Sequence, residues 1–257
     1  MKFSDDLLIA LLRAKRIVVF TGAGMSAESG IPTFRDTQSG LWEQYDPYVM
    51  ASPKGYLADK ALVWGWYEWR RMQVLHAKPH AGHIAIADLS GHVERLTLIT
   101  QNVDDLHERA GSKNVIHLHG SLHQPRCFDC GSPYTFFDEI PDEPSGDQRK
   151  EPPICVNCNG SIRPGVVWFG ESIQDTDWNF AEQAAMECDL LFSIGTSSLV
   201  WPAAQLPERA VLHGARVIQI NPGPTALDNK AHYNFRGKAG EVLPAMLEAL
   251  STFLNSF

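Results

Sequence analysis

Five short apolar runs alternate with helical patterns along this chain, and they restrict its possible folds more than any other feature. The runs are RIVVFTG at residue 16, RLTLITQN at 95, NVIHLHG at 114, DLLFSIGTS at 189 and ARVIQIN at 215. Continuous apolar runs that end in glycine or polar residues are typical of strands buried on both faces, as in parallel sheets with crossover helices. The sequence therefore predicts an α/β fold, with a Rossmann-like, doubly wound parallel sheet and a smaller additional module.

Both ends of the chain are predicted to be helical. Ser4 is suited to cap an amphipathic helix in DDLLIALLRAKR, and the chain closes with GEVLPAMLEALSTFLNSF. Asp5 and Asp6 precede the first apolar run, and no small-residue cleavage site follows it, so this start does not predict a signal peptide. No apolar run approaches the roughly 18 residues of a membrane helix. We expect a cytoplasmic protein that does not bind membranes.

The net charge and composition restrict the kinds of molecule that the protein is expected to bind. The 257 residues carry a formal net charge of −8, and 44% of them are hydrophobic while 20% are charged. Such a balance describes a globular protein with little disorder. Nucleic-acid binding relies on cationic side chains that neutralise phosphates, so the acidic balance argues against it. An acidic surface does attract basic peptides, so the net charge is compatible with a protein or peptide substrate.

Four of the five cysteines form two pairs, Cys127-x-x-Cys130 and Cys155-x-x-Cys158. Two such pairs present four thiolates tetrahedrally, which is the geometry of a structural zinc site and leaves no position open for a catalytic water. Two disulfides or a redox pair are the alternatives. A reducing compartment disfavours disulfides, and a redox motif needs only one pair.

The first predicted strand ends in a glycine-rich turn, Gly22-Ala-Gly24-x-x-Ala27. In a dinucleotide-binding turn the first glycine permits the tight turn, the second lets backbone approach a pyrophosphate, and a small third residue lets helix pack on strand. A helix beginning here would also direct N–H groups towards phosphates. A structural turn is the alternative. The acidic residue of dehydrogenases would fall near GLWEQYDP, which does not resemble a strand, so hydride transfer is disfavoured.

Polar residues follow three of the predicted strands, at the ends where parallel sheets bind their ligands. They are Gln101, Asn102 and Asp104 after the second strand, His119 after the third, and Gly195, Thr196 and Ser197 after the fourth. Each could be a loop cap by itself, but three such ends beside a glycine turn favour a binding site. A histidine there can act as a general base near neutral pH, and spacing alone leaves His117 an equal candidate to His119.

The stretch YEWRR lies in a predicted amphipathic helix, ALVWGWYEWRRMQVLHAK. Tyr67 and Arg70 are three residues apart and therefore project from the same side of that helix. On a solvent-facing side they would be an arginine stem beside an aromatic ring, which is the usual meaning of such a pair. In a pocket they would present a phenol and a guanidinium to an anionic group. The pair by itself leaves both interpretations open.

Several motifs, in a fixed order, resemble those of one family. They are GAGMSAESGIPTFR, TQNVDDLHERAG, HLHG followed by the cysteine pairs, RPGVVWFGE, GTSSLVWPAA and the IN at 220–221. In this order they are similar to the motifs of the sirtuins, which are NAD-dependent protein lysine deacylases, over about residues 14–250. The resemblance implies one catalytic domain over 1–257, with its substrate cleft between two parts. The Rossmann-like large part would comprise about 1–35, 81–120 and 166–257, and the small module about 36–80 (helices and cofactor loop) and 121–165 (zinc ribbon).

Residue by residue, the resemblance implies roles for the site. His119 would be the catalytic base, because the family's histidine directly precedes the glycine. NAD would be bound by Gly22, Ala23, Gly24, Ser26, Phe34, Arg35, Gln101, Asn102, Asp104, Gly195, Thr196, Ser197, Asn221 and Ala239. The substrate would be bound by Ala51, Tyr67, Arg70, Val167, Phe169, Gly170 and Glu171. One structural zinc would be bound by Cys127, Cys130, Cys155 and Cys158.

The pair Tyr67-x-x-Arg70 resembles the motif of class III, desuccinylase-type sirtuins of bacteria and mitochondria. These enzymes remove acidic acyl groups such as succinyl and malonyl, and they can retain deacetylase activity. Ala51 falls where this class carries a small residue at the floor of the pocket, so it would leave room for a longer acyl group. In that setting the pair is expected to line the pocket.

The implied reaction consumes NAD and moves no hydride, in agreement with the missing dehydrogenase acid. The acyl oxygen attacks the ribose carbon that bears nicotinamide, and nicotinamide leaves. His119 then removes a proton from a ribose hydroxyl, which attacks the bound amide carbon, and water finally releases lysine and O-acyl-ADP-ribose. A protein ADP-ribosyltransferase, an NAD-binding redox enzyme and a zinc-ribbon binding module are the alternatives. The expected partners are acyl-lysine proteins or peptides, without nucleic acid or membrane.

Overall fold

The computed structural model describes residues 2–33, 46–136 and 149–256 of the chain. Two of the expected cofactor residues, Phe34 and Arg35, lie outside the described residues. Within the described ranges, no helix combines the length and the apolar character that crossing a membrane requires.

Eight strands are present in the described part of the chain. They are β1 (Arg16–Thr21), β2 (Arg95–Thr100), β3 (Ile116–His117), β4 (Arg126–Cys127), β5 (Ile162–Arg163), β6 (Leu190–Ile194), β7 (Arg216–Ile220) and β8 (Tyr233–Phe235). Six of them form one parallel sheet in the order β3-β2-β1-β6-β7-β8, and β4 pairs with β5 in a separate antiparallel ribbon. All five predicted strands are confirmed. The edge strand β8 was not predicted, because three residues are too few to show an apolar run.

The described helices connect and cover these strands. They are α1 (Asp5–Arg13), α2 (Gly24–Ala27), α3 (Pro47–Met50), α4 (Pro53–Ala58), α5 (Lys60–His76), α6 (Ala81–Leu89), α7 (Leu106–Arg109), α8 (Asp175–Glu187), α9 (Leu206–Leu212) and α10 (Ala239–Leu254). The predicted cap of α1 is confirmed, since the Ser4 hydroxyl accepts a hydrogen bond from the Leu7 N–H at 3.3 Å.

The central strands are apolar because helices cover both of their faces. Val19 of β1 is aligned with Leu98 of β2 and Phe192 of β6, and all three pack with residues of α1, α6 and α10. The neighbouring residues Val18 and Phe20 point to the other face, where α8 and α9 cover them. Side chains alternate between the faces of a strand, so a strand buried on both faces is apolar at nearly continuous positions.

The order of the strands fixes where a ligand can bind. From β1 the chain builds outward through β2 and β3 on one side, and later through β6, β7 and β8 on the other. The boundary between β1 and β6 is therefore the topological switch point, where the loops after the strands diverge and leave a crevice.

The smaller module contains the β4–β5 ribbon and packs against α5. Trp64 of α5 shares a buried cluster with Cys127 and Cys155. One turn on, Glu68 and Arg71 form a buried ion pair at 2.9 Å. Lys150 approaches Glu68 at 3.5 Å, and the Arg71 guanidinium lies 3.8 Å from the centre of the Phe136 ring. This side of α5 is thus attached to the cysteine-bearing module. The predicted fold class, a Rossmann-like sheet with a smaller cysteine module, is confirmed.

Candidate functional site

The glycine turn after β1 packs directly against the end of β6. The Gly22 N–H donates to the Ile194 carbonyl at 2.9 Å, and the Gly24 N–H donates to the Gly195 carbonyl at 2.8 Å. A Cβ at Gly24 would lie 2.8 Å from the Gly195 backbone. Gly195 itself has φ +61°, and a Cβ there would lie 2.3 Å from the Met25 nitrogen. Two backbones meet at the switch point at a distance that only glycine permits.

One expectation about this turn is wrong. Ala27 was expected to let the helix pack on the strand, but Ala27 and Ala23 are exposed. The residues of α2 that are buried beneath the turn are Met25 and Ser26. Because α2 is a single helical turn, it presents only its first residues to the sheet, and these are not the position that the longer helix of the usual fingerprint would bury.

Ser26 joins the glycine turn to the end of β2. Its hydroxyl donates to the Asp104 carboxylate at 2.8 Å and accepts from the Asn102 side-chain amide at 2.9 Å. Burial raises the pKa of Asp104, although hydrogen bonds from Ser26 and from the Leu106 N–H oppose that shift. The structure therefore brings three of the expected NAD residues into one buried hydrogen-bonded group.

A second polar group lies across the switch point. The Gln101 amide donates to the Thr196 hydroxyl at 3.0 Å, and the Asn221 amide after β7 donates to the Thr196 carbonyl at 2.8 Å. Ser197 follows Thr196 and is partly exposed, while Ala239 begins α10 and is buried. The predicted polar strand ends thus meet along one crevice.

The hydrogen bonds of His117 and His119 distinguish these two candidates for the general base. Both ring nitrogens of His117 are engaged, Nδ1 with the Asn102 carbonyl at 3.1 Å and Nε2 with the Glu108 carboxylate at 2.6 Å. Burial lowers the pKa of His117, but Glu108 outweighs burial and the net shift is upward, which favours the imidazolium. A histidine held in that state cannot accept a proton from a substrate.

His119 has the opposite character. Its Nδ1 donates to the Gln101 carbonyl at 3.1 Å, and Nε2 makes no hydrogen bond within the described residues. Burial lowers the pKa of His119, while the Gln101 carbonyl opposes that shift. The ring is therefore neutral near pH 7, with its free lone pair on Nε2, as a general base requires.

The sequence reasoning missed a cluster of histidines beneath the glycine turn. The rings of His80 and His83 are 4.3 Å apart, and those of His83 and His107 are 4.9 Å apart. Nε2 of His80 bonds to the Met25 carbonyl at 2.7 Å, so it supports the turn from below. Burial lowers the pKa of His83 to about 2, which keeps that ring neutral. The spacing His80-x-x-His83 was the available signal.

The segment 166–171 runs beside His119. The Val167 N–H donates to the His119 carbonyl, and the Phe169 N–H donates to the Ala51 carbonyl, both at 2.9 Å. Phe169 itself is 43% exposed. Two expected substrate residues, Ala51 and Phe169, are thus joined through their backbones.

The end of this segment turns back on itself. Gly170 has φ +89°, which permits the turn. The Glu171 carboxylate pairs with the buried Arg163 and accepts from the Trp168 N–H at 2.9 Å. The side chain of Glu171 therefore supports the segment from inside.

Tyr67 of α5 packs in a buried cluster with Trp168, apart from the cluster that Trp64 shares with Cys127 and Cys155, and Arg70 follows Tyr67 by about one turn. Tyr67 is 6% exposed, and its hydroxyl accepts a hydrogen bond from the Trp168 indole at 2.9 Å. The Arg70 guanidinium lies 5.1 Å from the centre of the Trp66 ring, and it makes no ion pair within the described ranges. Burial lowers the pKa of Arg70 and raises that of Tyr67. The Asp104 carboxylate is near enough to oppose the lowering of the Arg70 pKa in part, but it makes no ion pair with Arg70, and a partly buried cation without such a pair is suited to an anionic ligand.

The four paired cysteines converge. Their sulfur atoms all lie within 4.8 Å of one another. The Sγ atoms of Cys127 and Cys158 are 3.4 Å apart, and those of Cys130 and Cys155 are 3.7 Å apart. Tetrahedral zinc with Zn–S bonds of about 2.3 Å places its sulfur ligands about 3.8 Å apart, so the cluster fits this metal. Four thiolates complete the coordination, which makes the zinc structural.

Removal of one of these ligands should destabilise the protein. We expect Cys127→Ala to lower zinc content and melting temperature together, because structural zinc contributes directly to folding free energy. Metal analysis and calorimetry measure both quantities. Cys188→Ala is the matched control, since Cys188 is also buried but lies outside the cluster, and it should keep the full zinc content. A folded, fully active, metal-free Cys127→Ala protein would contradict the assignment.

Comparisons with known proteins agree with this geometry. A sequence profile of the Sir2 family matches residues 22–202. An NAD-dependent protein deacylase of Methylococcus capsulatus is 61% identical over 97% of this chain and 98% of its own length. NAD-dependent protein deacylase 1 of Pseudomonas aeruginosa is 55% identical over 92% and 95%.

Solved structures extend the likeness to three dimensions. A Sir2 homologue in complex with NAD superimposes with a TM-score of 0.89 at 43% identity, covering 98% of this chain and 96% of that one. A Sir2 complex with a p53 peptide and NAD⁺ superimposes with a TM-score of 0.82 at 32% identity, covering 98% and 100%. The profile match and the identity to these relatives over nearly the whole chain show that this protein belongs to the Sir2 family.

Proposed function

We propose that the protein is an NAD-dependent lysine deacylase that removes acetyl groups and acidic acyl groups such as succinyl and malonyl from proteins. The observation that carries the acidic preference is the partly buried Arg70, which has no carboxylate partner among the described residues and lies one turn from the buried hydroxyl of Tyr67. An acyl carboxylate would supply the missing negative charge. The names of the relatives support the deacylase activity, and the arginine supports the class of acyl group.

NAD would be held in the crevice between β1 and β6. The turn at Gly22 and Gly24 would approach the diphosphate, and Ser26 would bind beside it. The remaining parts of NAD would be bound by residues that follow the other strands or begin α10. These are Gln101, Asn102, Asp104, the group around Thr196, Ser197, Asn221 and Ala239. When bound, NAD supplies an ADP-ribosyl group to the acyl oxygen as nicotinamide leaves.

His119 would take the proton from a ribose hydroxyl through Nε2. The Gln101 carbonyl fixes the ring through Nδ1, and the Val167 N–H fixes the His119 backbone. The product released after hydrolysis would be O-acyl-ADP-ribose. This reaction moves no hydride, and it does not require the ribose-binding acidic residue of the dehydrogenases.

The substrate peptide would bind beside segment 166–171, between the large part and the small module. Extended peptides commonly pair with exposed backbone, which gives affinity without strict sequence preference. Phe169 would contact the acyl-lysine side chain, and Ala51 would leave space at the end of the pocket. We expect the boundaries between the two parts near residues 36, 81, 121 and 166.

The close glycine contact should be essential for NAD binding. We expect Gly195→Ala to weaken NAD affinity at least tenfold, because the new Cβ would lie 2.3 Å from the Met25 nitrogen at φ +61°. Gly214→Ala is the matched control, since Gly214 has φ +90° but nothing within 4 Å of the new Cβ. It carries only the backbone strain, about 1–2 kcal/mol. Titration calorimetry measures the affinities, and equal losses in both variants would show that the contact does not shape the site.

A panel of peptides that differ only in the acyl group on lysine tests the proposed function. Each peptide is incubated with NAD, and mass spectrometry follows the peptide, nicotinamide and the acylated ADP-ribose. We expect release of acetyl, succinyl and malonyl groups with stoichiometric nicotinamide. ADP-ribose attached to the peptide would favour a transferase instead. Reduction of NAD without nicotinamide release would favour a redox enzyme.

A further inference from the structure

Trp168 is held rigidly beside the proposed acyl pocket. Its side chain is 1% exposed, and the Arg163 guanidinium lies 3.5 Å from the centre of its ring. Its backbone N–H donates to Glu171, which is itself paired with Arg163. Tyr56 packs on the same ring at 5.3 Å. The indole therefore has little freedom to change its orientation.

The indole N–H determines the hydrogen-bond direction at Tyr67. An indole nitrogen is a donor only, so the Tyr67 oxygen must accept in the 2.9 Å bond between them. The hydroxyl hydrogen of Tyr67 then has no acceptor among the described residues. Burial raises the pKa of this phenol, so that hydrogen is retained at neutral pH.

The two polar groups on this side of α5 are consequently both donors. A guanidinium has no acceptor atoms, and the Tyr67 hydroxyl, which accepts from Trp168, keeps its own hydrogen for donation to a ligand. A hydroxyl that accepts a bond is also polarised and becomes a stronger donor. A ligand that offers only acceptors, such as a carboxylate, satisfies both groups at once.

We propose that Trp168 is a positioning residue for acyl selectivity, which acts by holding the Tyr67 hydroxyl as a donor aimed at the acyl carboxylate. This inference rests on the proposed preference for acidic acyl groups. Trp168 would not contact the reacting atoms. Its effect would appear in the comparison of two substrates and not in the chemical step.

Removal of the indole N–H tests the proposal. We expect Trp168→Phe to lower kcat/KM for a succinyl-lysine peptide about three- to tenfold, mostly through KM, as for the loss of one neutral hydrogen bond. The matched acetyl peptide should change less than about twofold. Trp64→Phe is the control, because Trp64 is equally buried on α5 but its indole nitrogen has no partner among the described residues. The control should leave the succinyl-to-acetyl ratio unchanged.

A double-mutant cycle shows whether Trp168 acts through Tyr67. In the Tyr67→Phe background the indole has already lost its partner, so adding Trp168→Phe should lower succinyl turnover by less than about twofold further. Independent residues would instead give additive losses.

The indole N–H resonance provides a readout besides activity. The chain contains seven tryptophans, and Trp168→Phe assigns one indole signal by its disappearance. That signal should move in Tyr67→Phe. It should also move more on binding succinyl peptide than on binding acetyl peptide.

The possible failures are distinct. A wild-type protein that turns over acetyl but not succinyl peptide would refute the proposed acyl preference, and the inference with it. Wild-type succinyl turnover, combined with equal losses on both peptides in Trp168→Phe or with additive losses in the cycle, would overturn the inference alone. An indole signal that is insensitive to Tyr67→Phe would also overturn it.

Discussion

Arg70→Met should lower desuccinylation efficiency by roughly 30-fold to several thousand-fold while deacetylation falls by less than about tenfold. A succinyl group brings a carboxylate into a largely apolar pocket, where a charge without a partner is costly. Truncating one member of a buried charge pair costs about 2–5 kcal/mol, and each 1.36 kcal/mol is a factor of about ten. Acetyl-lysine carries no such charge. The measurement is kcat/KM for matched acetyl and succinyl peptides.

Arg70→Lys serves as the control for charge alone. It keeps the cation but loses the planar fork that binds a carboxylate through two bonds, so an intermediate loss is expected. Equal losses on acetyl and succinyl peptides in Arg70→Met would show that the arginine supports the helix, as its contact with the Trp66 ring allows. The acidic-acyl proposal would then fail.

His119→Asn should reduce deacylation by about 10²–10⁴-fold, the usual contribution of a general base. The asparagine amide can keep a donor near the Gln101 carbonyl, so NAD binding and melting temperature should change little. His117→Asn is the matched control two residues earlier, and it should cost less than about tenfold. The reverse order of losses would identify His117 as the base, despite its engagement with Glu108.

The pH dependence of the wild-type enzyme tests the same assignment. A base acts only when it is unprotonated, so activity is lost as the pH falls through its pKa. Burial lowers the pKa of His119 below the ordinary 6.5, so the acid limb of kcat/KM should lie below that pH. A limb above 6.5 would fit the raised pKa of His117 instead.

Much of the sheet was predictable because its signal is local. A strand buried on both faces is apolar along most of its length, and β1, β2, β6 and β7, which are five or six residues long, each have three or four apolar positions. The short strand β3 was found because its apolar run continues beyond the two paired residues, Ile116 and His117. The edge strand β8 offered no comparable run.

The site was less predictable because its decisive contacts join distant parts of the chain. The sequence showed that Tyr67 and Arg70 share one side of a helix, but not which side faces the pocket. The hydrogen bond from Trp168 to Tyr67 joins residues 101 positions apart, and no local sequence pattern predicts it. The structural distinction between His117 and His119 depends on Glu108, which bonds to His117. The spacing of these residues in the sequence does not show which histidine Glu108 contacts.

Acyl choice and bond chemistry can change independently in the evolution of this fold. The residues proposed to read the acyl group lie largely on α5, whereas His119 and the proposed nucleotide residues follow strands of the sheet. A new acyl preference could therefore be engineered by exchanging α5 together with Ala51 and Trp168, which lie outside this helix. The graft would have to retain Trp64, Glu68 and Arg71, because these side chains attach α5 to the cysteine module through Phe136 and Lys150.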